Sequence, residues 1–162
     1  MESYVNWLRS TQLSSFVNGY SWVWPASETL HFIGLALLVG TISLLDLRML
    51  GIGKSLPLAP LHRLVPWGVF GFVINILTGI LFFVAAPEQY VNNIAFQFKV
   101  LFIALAGINV LIFYLAVFQK TEHLGAGEDA PLPAKVIAGV SLFLWAGVMY
   151  LGRMLPFIGN AF

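Results

Sequence analysis

Four long apolar runs dominate the pattern along the chain, separated by short stretches that collect most polar, glycine and proline positions. They extend over about 22–45, 66–86, 94–118 and 134–157. A helix needs about 20 mainly apolar residues to cross the hydrocarbon of a bilayer, and each run is long enough. A backbone in lipid must satisfy its own hydrogen bonds, so these runs predict helices. The alternating ten-residue segments of a membrane β-barrel are not seen. The predicted fold is therefore all-α, an integral membrane four-helix bundle forming one domain over 1–162.

Residues 2–20 follow a different pattern. Val5, Leu8, Leu13, Phe16 and Val17 recur at roughly helical spacing, with Trp7, Arg9 and polar residues between them. This predicts a short amphipathic helix lying in the membrane interface, with an unstructured tail as the alternative. Met1-Glu2-Ser3 opens a mixed stretch rather than a basic start followed by an apolar core, so no cleavable signal is expected.

Composition strengthens the membrane reading. Of 162 residues, 59% are hydrophobic and 9% charged, against roughly a quarter charged in soluble domains. So few charges do not cover a water-facing surface, and the lipid bilayer is the expected partner. The net charge of +1 and the absence of a Lys/Arg-rich run exclude nucleic acid. The chain has no cysteine, which removes disulfides, thiolate metal sites and cysteine nucleophiles. Phosphate loops, nucleophile elbows and zinc-protease motifs are missing as well, so enzymatic activity would require a bound cofactor.

Basic residues set the expected orientation. Arg48, Lys54 and Arg63 follow the first run, and Lys120 and Lys135 follow the third. These two loops lie on one side, which the bias assigns to the cytoplasm. Both termini and the 87–93 loop then face outward, in a bacterial inner membrane. Trp22, Trp24, Trp67 and Tyr90 fall near the predicted boundaries, as an aromatic belt would.

Ionisable residues inside the runs are costly and therefore informative. They are Glu28, His31, Lys99 and Arg153, and all fall in the outer half. His31 lies nine residues past Trp22, on the order of 13 Å inward. Glu28 is three residues earlier, on nearly the same helical face. Lys99 opens the third helix, and Arg153 lies about one turn from the end of the fourth, with Met149 four residues before it. Gly71, Asn75, Thr78 and Phe82 form a stripe on the second helix, and Asn109 lies deeper on the third.

Several readings of this layer stay open. Haem b could take His31 as axial ligand, with Lys99 and Arg153 as propionate cations and Met149 as a second ligand. A transition metal could bind His31 with Glu28 or a methionine. A quinone, lipid or other small molecule is a further possibility. The non-catalytic alternative is that these groups only specify helix packing. His62 and His123 read as solvated interface histidines, and Asp46 and Arg48 as capping or pairing residues at the end of the first helix. Gly34, Gly40, Gly79, Gly107 and Gly147 are expected to permit close helix contact.

Several local motifs carry a resemblance over about residues 20–157. They are Trp24-Pro25, Glu28-Thr29-Leu30-His31, Gly40 with Asp46-Leu47-Arg48, Pro66-Trp67, Thr78-Gly79 with Phe82, and Phe98-Lys99-Val100 with Ala106-Gly107-Ile108-Asn109. Together they resemble a bacterial four-helix inner-membrane family of unknown function. In layout the chain is also remotely similar to membrane proteins of the copper-resistance protein D type and the haem-binding protoporphyrinogen oxidase type. That similarity rests on His31, Thr78-Gly79 and Lys99, and it implies a haem or metal site. Those relatives usually have further membrane histidines, which this chain lacks, and Tyr114 stands where one is expected. The leading expectation is a small inner-membrane protein binding haem b or a transition metal through His31, with a membrane redox partner or a second copy of itself. An accessory subunit and a small transporter component are the alternatives.

Overall fold

The structure is a computed structural model that describes residues 2–158. Met1 and residues 159–162, which the single-domain expectation includes, lie outside the described residues. Four stretches are long and apolar enough to cross a membrane: Val23–Met49, Leu58–Ala85, Ile94–Thr121 and Leu132–Met154. The chain is an all-α, multi-pass membrane protein.

The elements run in chain order as α1 (Glu2–Arg9), α2 (Gln12–Gly19), α3 (Val23–Met49), α4 (Leu58–His62), α5 (Val65–Ala85), α6 (Glu88–Val91), α7 (Ile94–Ile112), a π-helical turn at Phe113–Val117, α8 (Phe118–Thr121) and α9 (Leu132–Met154). The first span outlasts the 22–45 expected of it, because its last turn stays helical through Asp46 and Arg48. The N-terminal segment is two helices rather than one. They are broken at Ser10–Thr11, where the Thr11 hydroxyl caps α2 by accepting from the Ser14 amide at 3.2 Å. Both pack on α5. The Asn18 amide donates to the Ala85 carbonyl at 3.1 Å, and the Arg9 guanidinium pairs with the Glu88 carboxylate.

The tightest partnerships are α3 with α5 and α7 with α9, and a smaller α3–α9 contact joins the two pairs. Small residues at seven-residue spacing make this possible. Ser27, Gly34 and Thr41 of α3 are buried, as are Gly71, Thr78 and Ala85 of α5. With no hydrophobic drive between helices in lipid, such residues let backbones approach until dispersion and local hydrogen bonds hold them. A Cβ at Gly34 would stand 2.6 Å from the Asn75 side-chain nitrogen and 2.8 Å from the Gly71 carbonyl oxygen. A Cβ at Gly71 would overlap the Gly34 carbonyl. At the other joint, a Cβ at Gly147 of α9 would overlap the Phe102 ring of α7. Gly34 and Gly147 thus act as expected. Gly40, Gly79 and Gly107 do not, since nothing lies within 4 Å of a Cβ placed there.

The connections at one end form a closed layer, here termed the loop end. The Leu58 amide donates to the Leu124 carbonyl at 3.0 Å, and the Gly127 amide to the Lys54 carbonyl at 2.7 Å. Met49, Leu58, Val117, Ala130, Ala134 and Ala138 pack beneath it. Arg48 is 1% exposed and donates to the carbonyls of Leu56, Gly125 and Glu128. It neither caps α3 nor pairs with Asp46, because residues two apart on a helix point to different sides.

Asp129 gives this layer a pH dependence. Its carboxylate meets the ammonium groups of Lys135 at 2.7 Å and Lys54 at 3.1 Å. Hydrogen bonds from Lys135, then Lys54, hold it at about 2, below its ordinary 3.8. A depressed carboxylate stabilises above its unfolded pKa and loses that contribution as pH falls through the folded one. Amide protection in 122–131 is therefore expected to stay level from neutral pH to about pH 4 and to fall between about pH 4 and 2. Hydrogen exchange against pH measures this, and Asp129→Asn should remove the step.

Candidate functional site

The half of the bundle away from the loop end carries the residues singled out by cost. His31, on α3, is half-buried against α5. Its Nδ1 lies 2.7 Å from the Thr78 hydroxyl oxygen, and that hydroxyl lies 2.7 Å from the Ile74 carbonyl. A hydroxyl has one proton. Given to Ile74, which has no proton of its own, it leaves Thr78 an acceptor for His31 Nδ1–H. The imidazole is thereby set with its Nε2 lone pair unprotonated, and Nε2 has no hydrogen-bond partner among the described residues. Phe82 stands 5.5 Å from the imidazole ring, and Trp24 stands 5.1 Å from Phe82. Lys99, on the first turns of α7, reaches toward Gly152 of α9. No ion-pair partner of Lys99 is found among the described residues.

The structure thus brings together His31 and Thr78, with Lys99 half-buried on the first turns of α7. Glu28 is exposed instead, and its carboxylate accepts from the Trp24 indole nitrogen at 3.1 Å. It also lies near α6, where burial and then the charge of Glu28 push the Tyr90 hydroxyl above its ordinary range. Met149 and Arg153 occupy the exposed face of α9, with Tyr150, and Phe157 is exposed just beyond its end. Arg153 lies over the Phe157 ring at 5.6 Å. Asn109 bridges α7 to α9 through the Ile137 carbonyl at 3.1 Å. Among the described residues there is no group of three or more His, Asp or Glu side chains able to hold a metal ion.

His123 is solvated, as expected. His62 differs from expectation. It is half-buried, lies 2.9 Å from the Tyr114 hydroxyl, and packs on the Phe118 ring with centroids 4.7 Å apart.

A second polar centre lies in the loop-end half. A cavity of about 220 Å³ opens between the spans, walled by α3, α5, α7 and α9. Asp46 lines it, 4% exposed, with Ser141 of α9 beside its carboxyl. Its Oδ2 is fully buried and has no hydrogen-bond partner among the described residues. Phe72, Trp145, Phe113 and Tyr114 provide aromatic walls. The last two lie in the π-helical turn, where the Phe118 amide reaches back five residues to the Phe113 carbonyl. Such turns alter the phase of a helix and so re-aim its side chains. The sequence signal for Asp46 was its place on the buried stripe of α3 with Leu38, Thr41 and Met49, which a reading of charge as span end overlooks. No protein-family model, curated protein or solved structure matches the chain.

Proposed function

We propose that the chain is a bacterial inner-membrane protein that carries haem b on His31 in the outer half of its bundle, with its basic loops in the cytoplasm. The observation that carries this is the polarity of the His31–Thr78–Ile74 hydrogen-bond chain. It fixes the imidazole in the tautomer whose outward nitrogen can donate a lone pair to iron. The donor set favours a macrocycle over a bare ion. One imidazole is a poor site for a free metal ion, whereas a porphyrin brings four nitrogens of its own and asks the protein for an axial ligand. Met149 lies on the exposed face of α9 and is left out of this reading as second ligand. Lys99 within the bundle and Arg153 at its surface are the cations for the propionates. When bound, the haem would supply one-electron transfer to a membrane partner. The residues themselves would hold the ring, set the imidazole tautomer and balance charge. Membership in the four-helix family that the motifs resemble belongs to the same proposal.

A second reading is a non-catalytic accessory subunit. It is favoured by how the buried amides are used. Asn109 reaches the Ile137 carbonyl, and Asn93 the Leu155 carbonyl at 2.9 Å, so both serve to tie helices.

An absorption spectrum of the purified protein, supplied with haem during expression, separates the two. A Soret band is expected, lost in His31→Ala. Thr78→Val should retain the fold but lower haem affinity about 10- to 100-fold, as losing the partner that orients a ligand does. A colourless protein that stays folded with and without His31 would sink the haem proposal and leave the accessory subunit.

A further inference from the structure

We propose that the loop-end cavity is a second binding site, independent of His31, for a quinol- or phenol-type ring whose hydroxyl meets Asp46. Three features carry the inference. The first is the orphan acceptor. Asp46 Oδ2 is fully buried without a partner among the described residues, and a buried polar atom left unpaired is unfavourable. Asp46 lines the cavity, so a turn of its carboxyl brings that oxygen to a ligand hydroxyl, which supplies the missing partner. It complements the carboxyl in either protonation state, since an O–H group both donates and accepts.

The second feature is the shape and lining. About 220 Å³ is available, and an engineered cavity of about 150 Å³ admits benzene. A substituted six-membered ring therefore fits. Phe72 and Trp145 meet edge to face at 6.4 Å, and Phe113 and Tyr114 line the same cavity from the π-helical turn that follows α7. Edge-to-face and offset contacts with a ligand ring are what such walls favour. The third feature is access. The close packing of the bundle is α3 on α5, α7 on α9 and α3 on α9, while α5 and α7 are not closely packed. An apolar ring with a tail therefore reaches Asp46 from the bilayer, its natural reservoir, without crossing water.

The test uses the whole protein in phosphatidylcholine nanodiscs, kept reduced, with duroquinol as probe and durene as its hydroxyl-free counterpart. Tryptophan emission is followed. Duroquinol should give a saturable change that Trp145→Phe removes. Durene should bind at least 10-fold more weakly, and Asp46→Asn should weaken duroquinol at least 10-fold. Gly107→Leu provides the variant that keeps the fold. Gly107 lines the cavity, and a Cβ there meets nothing within 4 Å, so the leucine fills the space from a helix that gains propensity. It should abolish saturation with an unchanged thermal midpoint. Two results would overturn the proposal. Durene binding as tightly as duroquinol would make the cavity an apolar void filled by lipid. A duroquinol response unchanged in Gly107→Leu would reduce it to partition into the bilayer.

Discussion

Replacing Arg48 with alanine is expected to destabilise the folded bundle by about 3–5 kcal/mol. The guanidinium is buried and ties three carbonyls from two connections that are far apart in sequence: Leu56 on one, Gly125 and Glu128 on the other. Removing it leaves three acceptors to be resolvated or left unpaired, at about 1–3 kcal/mol each. Relief of its own burial offsets part of that sum, because Nη1 has no partner among the described residues. Arg48→Lys should recover little. An ammonium has no planar fork and cannot span acceptors in these directions. The midpoint of unfolding in mixed micelles measures the loss. Proteolysis should report the same event locally, with new cleavage at Gly125–Gly127 before the spans unfold.

Gly71→Ala should destabilise by about 2–3 kcal/mol, and Gly71→Val by more. The atoms a new Cβ would meet are the Gly34 carbonyl oxygen, Leu37 Cβ and the Leu38 amide nitrogen, the last two at 2.9 Å. Two of the three are backbone and do not swing away as a side-chain end would. The helices must separate, and overpacking a tight contact costs about 1–3 kcal/mol or more. Separation of α3 from α5 also stretches the His31–Thr78 hydrogen bond, which crosses the same joint. The substitution should therefore alter the His31 environment as well as the unfolding midpoint, which nitrogen-15 chemical shifts of the imidazole would register. Gly79→Ala is the control. It lies on α5 with open space around its Cβ and should be close to neutral. Equal losses at Gly71 and Gly79 would mean that helix flexibility, not contact, sets the effect.

The spans were legible because length and apolarity alone decide them. Their phases were legible only in part. Met149 and Arg153 look interior when depth is the criterion. The buried stripe of α9 is Ala134, Ala138, Ser141, Leu144 and Val148, and Met149, one residue past it, is rotated by about 100°. Glycines misled for the same reason. Close approach needs the glycine to face a neighbouring helix, which Gly34, Gly71 and Gly147 do and Gly40 and Gly79 do not. His31 and Lys99 were found because an ionisable group in an apolar run stands out wherever its helix faces. Asp46 reads as a capping or pairing group because a charge near the end of a run looks like an exit to water. Only the fold reveals that Arg48 carries α3 one turn further and leaves Asp46 inside.

The pairing of α3 with α5 and of α7 with α9 has a consequence for how the protein is made. Each pair consists of neighbours in the chain, so each hairpin has its main partner as soon as its second span leaves the ribosome. Loop closure between neighbours is entropically mild. The first hairpin can be complete in the bilayer while the second is still being synthesised. Only the α3–α9 seam and the docking of the two connections on Arg48 wait for the last span. Biogenesis then reduces to two insertions and one late lateral docking, and errors in it should accumulate as separated hairpins rather than as scrambled helices.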